Sequence, residues 1–223
     1  MKDKVLSVVY GVAVFFCILT FCISLPIYAR FFYYMQIEPL GLPKETGYDA
    51  ATIRQAYDEV LDYLTLPGKS FGTGVFAHSE EGAAHFADCK ALFTLNGTVL
   101  LLSSAVVAIL LFSKRKRWFA SARPFGLRLN VIPATVLLLL MTAIGVFVAV
   151  DFDTAFTVFH AVCFPNKDNW LFSGQKDPII YILPETFFLR CGVWIITSMV
   201  FICLIIIVTA VIEKVHIKKP AKN

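Results

Sequence analysis

Charge is scarce in this chain: Asp, Glu, Lys and Arg together make up 16% of its 223 residues. Soluble domains carry about 25%, and 58% of the residues here are hydrophobic, with a mean hydropathy of +0.72. That balance excludes an ordinary water-soluble globule. The charge is also missing in blocks. Four stretches hold no Asp, Glu, Lys, Arg or His at all: 5–29, 91–113, 129–150 and 191–212. Each reaches the roughly 20 apolar residues that a helix needs to cross a hydrocarbon core of about 30 Å. The sequence therefore predicts an all-α integral membrane protein of one membrane domain, 1–223, with four transmembrane helices. The first block is too long for a secretory h-region of about 7–15 residues, and Ile27 stands where a small residue is wanted before a cleavage point. It reads as a retained anchor.

Motifs of common soluble chemistry are missing too. There is no G-x-S-x-G and no H-E-x-x-H, and the six cysteines show no C-x-x-C spacing. Pro67-Gly68-Lys69-Ser70 looks like the end of a phosphate-binding loop, but Tyr63 occupies the required earlier glycine position. Asn96-Gly97-Thr98 matches a glycosylation triplet but lies inside the second block. Cys17, Cys22 and Cys203 read as small apolar span residues. Cys89, Cys163 and Cys191 lie near the outer face, and sequence leaves their pairing open.

What charge there is has a pattern. Twelve of the 20 Lys and Arg residues lie in the N-terminus, the 114–128 loop and the C-terminal tail, with the run Lys114-Arg115-Lys116-Arg117 at the centre. Fourteen of the 16 acids lie in 30–90 and 151–190. Basic residues mark cytoplasmic loops, so both termini are expected inside, and the segments 30–90 and 151–190 are expected to form one extracellular cap. The basic run reads as a topology signal beside anionic lipid, with no nucleic-acid partner.

Within the first outer segment, Asp49 is placed to cap a helix beginning at residue 50. Its apolar stripe is Ile53, Ala56, Tyr57, Val60, Leu61 and Leu64. Aromatics crowd the outer boundary: 31–34, then Phe152, Phe156, Phe159, Phe164, Trp170 and Phe172. They suit an interfacial belt or a greasy pocket for acyl chains.

Three of the four histidines, His78, His85 and His160, fall in the outer segments; His216 is in the basic tail. If 79–90 is helical, Glu81, His85 and Asp88 share one face, with His85 roughly 9 Å above the uncharged block. The two carboxylates are then expected to orient the imidazole. If the third span continues as a helix, Asp153 and His160 share a face, and His160 stands roughly 15 Å above its block. A shared site then requires tilt, or a meeting inside the cap.

The string Ser79-Glu80-Glu81…His85-Phe86-Ala87-Asp88-Cys89-Lys90, with Phe156…Phe159-His160…Asn166…Trp170…Asp177-Pro178…Pro184-Glu185…Phe187, resembles the bacterial lipoprotein intramolecular transacylases (Lit). Thr46-Gly47…Ala56-Tyr57…Tyr63-Leu64 and the four-span layout fit as well; Cys89 departs from an expected aliphatic residue. The resemblance implies transfer of the sn-2 acyl chain of a diacylglyceryl lipoprotein to the α-amino group of its N-terminal cysteine. It implies an enzyme of the bacterial cell membrane that works at the extracellular face on diacylglyceryl-modified lipoproteins in contact with membrane lipid. An ester becomes an amide, so neither ATP nor another cofactor or metal is expected. On this reading His85 is the base and His160 the acid or oxyanion donor, with the reverse assignment open. Glu81, Asp88, Asp153 and Trp170 are expected in support. A covalent acyl-enzyme through Cys89 or Ser79 is a less economical route. Two other readings remain at this stage: a zinc-dependent membrane hydrolase using His78, His85, His160 and a carboxylate, and a non-enzymatic membrane protein whose cap binds a partner.

Overall fold

The computed structural model describes residues 2–112 and 129–218. The 114–128 loop, with the basic run on which the topology expectation rests, lies outside the described residues, as does the end of the basic tail. The described residues form helices and no strand: α1 (Lys2–Tyr28), α2 (Arg30–Tyr34), α3 (Leu42–Thr46), α4 (Ala50–Thr65), α5 (Glu80–Phe112), α6 (Val131–Val150), α7 (Phe152–Cys163), a 3-10 turn (Pro178–Tyr181) and α8 (Glu185–Lys218). Among them α1, α5, α6 and α8 are long and apolar enough to cross a membrane. At 1.5 Å per residue the 33 residues of α5 extend roughly 50 Å, well beyond a hydrocarbon core. The charged stretch 80–90 is thus continuous with the uncharged 91–112.

Two compact units emerge. Among the described residues, one comprises 2–23, 97–112, 129–146 and 195–218; the other comprises 24–96 and 147–194. The first has a core of span side chains: Tyr10, Val14 and Cys22 of α1, Leu137 and Met141 of α6, and Met199 and Cys203 of α8. Its apolar outer faces, such as Leu101 (70% exposed) and Leu139 (67%), suit lipid as solvent.

The second unit is built on α4. Asp49 takes extended backbone and accepts from Thr52 N–H at 2.8 Å, as the capping reading requires. The stripe Ile53, Ala56, Tyr57, Val60, Leu61 and Leu64 is the buried face. Tyr33 lies flat on Tyr57 with ring centroids 3.7 Å apart, and Phe187 stands edge-on to both. The buried Tyr33 hydroxyl donates to the Ile182 carbonyl at 2.8 Å, joining the segments 30–90 and 151–190. On the other side of α4, Arg30 reaches Asp58 at 2.8 Å and also pairs with Asp62. The Arg30 hydrogen bond holds the Asp62 carboxyl below its ordinary range.

A second junction starts α5. Ser79 Oγ accepts from Gly82 N–H at 2.9 Å, an N-cap contact. The buried Asp177 in turn accepts from Ser79 N–H at 2.7 Å and from its hydroxyl at 2.9 Å. This clamp fixes the first turn of α5 to the segment 164–177. His85 lies in the next turn.

Candidate active site

His85 and His160 come from different elements of the second unit, and the fold brings them together. Their ring centroids are 5.8 Å apart and each is 7% exposed. The meeting does not use a straight continuation of the third span. Asp151 breaks the helix at extended backbone (φ −152°, ψ 93°), and its carboxylate accepts from Thr154 N–H at 3.0 Å and from the Thr154 hydroxyl at 2.6 Å. A new helix, α7, starts there and carries His160 in its last turn. An Asx cap two residues before Asp153 was the readable sign of that break.

Aromatic rings enclose the pair. Trp170 stacks on His160 at 4.4 Å and 23°, and Phe156 packs against it at 4.3 Å. Phe164 lies 4.9 Å from His85, and Phe172 stands edge-on to it at 5.5 Å. Of the boundary aromatics, these four enclose the pair most closely. Phe159 also stands edge-on to His160 at 5.4 Å but is 56% exposed, and Phe31 and Phe32 pack instead on Trp194.

The hydrogen bonds define what each imidazole can do. His160 Nδ1 lies 2.8 Å from the Phe156 carbonyl. A carbonyl only accepts, so the proton is on Nδ1 and the lone pair is on Nε2. Burial pushes the His160 pKa below its ordinary 6.5, opposed by the bond to Phe156. The ring is therefore neutral at pH 7. His85 Nε2 lies 3.4 Å from the Cys89 thiol, one helical turn on, while its Nδ1 is buried without a hydrogen bond.

The expected carboxylate support takes another form. Glu81 and Asp153 are exposed, and among the described residues neither hydrogen-bonds to an imidazole. Asp88 turns away to Lys167 Nζ at 2.6 Å and to the Asn169 amide at 3.2 Å. An i, i+3 carboxylate shares the helix face of His85, but a nearby cation outcompetes a neutral ring for it. Trp170 is in place. Lys167 and Asn169 were not among the expected site residues, because nothing in the spacing of 164–177 marks which side chains turn toward α5. His78 contacts Thr73 and Phe71 outside the pair. All six cysteines are free. Among the described residues, no three His, Cys, Asp or Glu side chains converge on a point where a metal ion could sit.

The sequence profile of the family described as lipoprotein intramolecular transacylase Lit matches residues 8–188. Among solved structures, the in meso structure of the membrane integral lipoprotein intramolecular transacylase Lit from Bacillus cereus superposes with a TM-score of 0.80 at 22% identity, covering 96% of this chain and 98% of that one. Structures of the same B. cereus protein with an H85R mutation and with an H85A mutation superpose with TM-scores of 0.72 and 0.73, again at 22% identity. They cover 97% and 96% of this chain, and 95% and 96% of theirs. At this identity the likeness shows a shared fold. Comparison with curated proteins gave no match.

Proposed function

The chain belongs to the lipoprotein intramolecular transacylase (Lit) family, and from that premise we propose that His85 and His160 carry out its acyl transfer as one acid–base unit. The protein is an integral membrane acyltransferase that acts on lipoproteins. Its reaction moves the sn-2 acyl chain of the diacylglyceryl group to the α-amino group of the N-terminal cysteine. The observation that carries the assignment is the pairing of the two imidazoles at 5.8 Å inside an aromatic enclosure.

The proton inventory fits two neutral imidazoles. An α-ammonium has a reference pKa of about 7.7–8.0 and must lose a proton before it attacks. His160 offers a fixed Nε2 lone pair and takes that proton. The freed amine attacks the ester carbonyl, forming the C–N bond, and His85 removes a second N–H proton from the tetrahedral adduct. The C–O bond to glycerol breaks, and the departing oxygen takes the proton from His160. The oxyanion meets the imidazolium of His160 while it exists. The products are an amide, a free glyceryl hydroxyl and one proton, which leaves from His85 to water. Donor and acceptor are parts of one molecule, so the enclosure mainly folds the substrate into attack geometry and keeps water from the ester. No protein nucleophile is needed.

The setting is proposed on the charge pattern. The acidic segments 30–90 and 151–190 form an extracellular cap, both termini are cytoplasmic, and the pair works at the outer face among membrane lipid. Nucleic acid has no place in this reading.

The test uses a lipopeptide deuterated in its sn-2 chain, with mass spectrometry locating the label. Wild type places the label on the amine. General acid–base groups contribute roughly 10²–10⁴-fold, so His85→Ala and His160→Ala should each slow label transfer by about 10²-fold or more. His78→Ala should behave as wild type. Wild-type turnover by a folded His160→Ala protein would remove His160 from the mechanism.

A further inference from the structure

Asn169 lies between the site and its nearest charged pair. Its Nδ2 donates to Asp88 Oδ2 at 3.2 Å, and Asp88 is gripped from the other side by Lys167 Nζ at 2.6 Å. A carboxylate only accepts, so the amide cannot flip: its NH₂ faces Asp88 and its oxygen faces away. That oxygen is buried and unpartnered, and so is His85 Nδ1; among the described residues these are the two buried side-chain polar atoms without a hydrogen bond. Asn169 is also one of the groups that act on the His85 ring, where it opposes the lowering of the pKa by burial. One orphan is an acceptor, and the other is a donor whenever the ring carries its proton on Nδ1. Buried polar atoms are rarely left unpaired, and catalytic hydrogen bonds in free enzymes are often long and tighten on the substrate.

We propose that Asn169 is a positioning residue for His85: its Oδ1 accepts from His85 Nδ1–H, holding the ring with the Nε2 lone pair available to the substrate, while Asp88 and Lys167 anchor the amide. The effect of Asp88 on the base is thereby relayed through an uncharged side chain. This explains why the carboxylate shares a helix face with His85 yet makes no bond to it. The Cys89 thiol, 3.4 Å from Nε2, is a weak donor that the substrate N–H displaces. The charged and titratable groups around His85 are Asp88 and Cys89 on its own helix, His160 on α7, and Lys167 on the segment that follows.

The proposal rests on the reading of His85 as the base, so its test runs beside that reading. Full-length wild type, Asn169→Ala, Asn169→Asp, His85→Ala and the double variant His85→Ala/Asn169→Ala are assayed for kcat and KM against pH on the deuterated lipopeptide. Thermal midpoints confirm folding. Misplacing a catalytic group can cost about 10²-fold; Asn169→Ala should lose kcat on that scale, with KM nearly unchanged. Its acid limb should move to lower pH, because the imidazolium loses an acceptor. Asn169→Asp supplies a charged acceptor and should move the limb to higher pH, which gives a readout if the alanine variant does not fold. Adding Asn169→Ala to His85→Ala should cost nothing further. An Asn169→Ala protein with wild-type kcat overturns the proposal, as does one with reduced kcat and an unmoved pH profile. A His85→Ala protein of wild-type activity would instead overturn the base assignment beneath it.

Discussion

Substituting Gly82 by alanine tests the clamp that fixes the start of α5. A Cβ built at this position would lie 2.2 Å from Asp177 Oδ1, 3.0 Å from its Cγ and 3.3 Å from Ser79 Oγ. The carboxylate must retreat by about 1 Å to restore ordinary contact. It is 4% exposed, so it cannot swing into water without opening the structure. Retreat weakens the bonds from Ser79 N–H and its hydroxyl. Hydrogen bonds to a charged group contribute about 1.5–3 kcal/mol each. Losing one to two of them, against about 1 kcal/mol gained from alanine in a helix, leaves a net cost of about 0.5–5 kcal/mol. At about 2–4 °C per kcal/mol for a chain of this size, the thermal midpoint falls by roughly 1–20 °C, read in detergent by intrinsic fluorescence. Gly192→Ala is the control: it is helical, nothing lies within 4 Å of its Cβ, and its midpoint should hold or rise slightly. Equal midpoints for the two variants would refute the clamp.

Three further outcomes follow from the same unit. Tyr33→Phe removes the buried donor to the Ile182 carbonyl and should cost about 1–3 kcal/mol in the same melt, with the Tyr57 stack intact. Trp170→Leu removes the ring stacked on His160 at 4.4 Å and should cut kcat by roughly 10-fold or more through misplacement of the imidazole, within the 10²-fold that a displaced group can cost; an unchanged kcat would count against the enclosure. The His160 pKa is lowered by burial in the folded protein. The unfolded chain therefore takes up a proton that the native site refuses. This term is absent well above pH ~6.5 and destabilises the fold progressively as pH drops below it. The midpoint should fall with acidification, and by less in His160→Gln; an equal fall in both would contradict the assignment.

Much of the second unit was legible from periodicity. The six-residue stripe of α4 and its Asp49 cap depend on neighbours within a turn or two, and local patterns report local structure. The four apolar helices were legible for the same reason. What failed depended on competition. Asp88 was expected to orient His85, but Lys167, 79 residues away, takes its carboxylate. A continuation past the third span was only a condition for placing His160; the chain starts a new helix at Asp151 instead, because that side chain is a better cap than a helix interior residue. Asn169 carried no signal, because its role depends on two orphaned atoms that only the folded chain brings together. The two histidines stood out by type and by their place in the acidic segments 30–90 and 151–190; their contact required the break before α7.

The central claim is that His85 and His160 act as one unit, and a double-mutant cycle on label transfer measures that directly. Rates of amine labelling are compared for wild type, His85→Ala, His160→Ala and the double variant, each shown to be folded by its thermal midpoint. Residues that act together are strongly non-additive, so the double variant should be within a few-fold of the slower single. A double variant whose loss is the product of the two single losses, roughly 10⁴-fold or more on the scale of general acid–base effects, would contradict the account and make the imidazoles independent contributors.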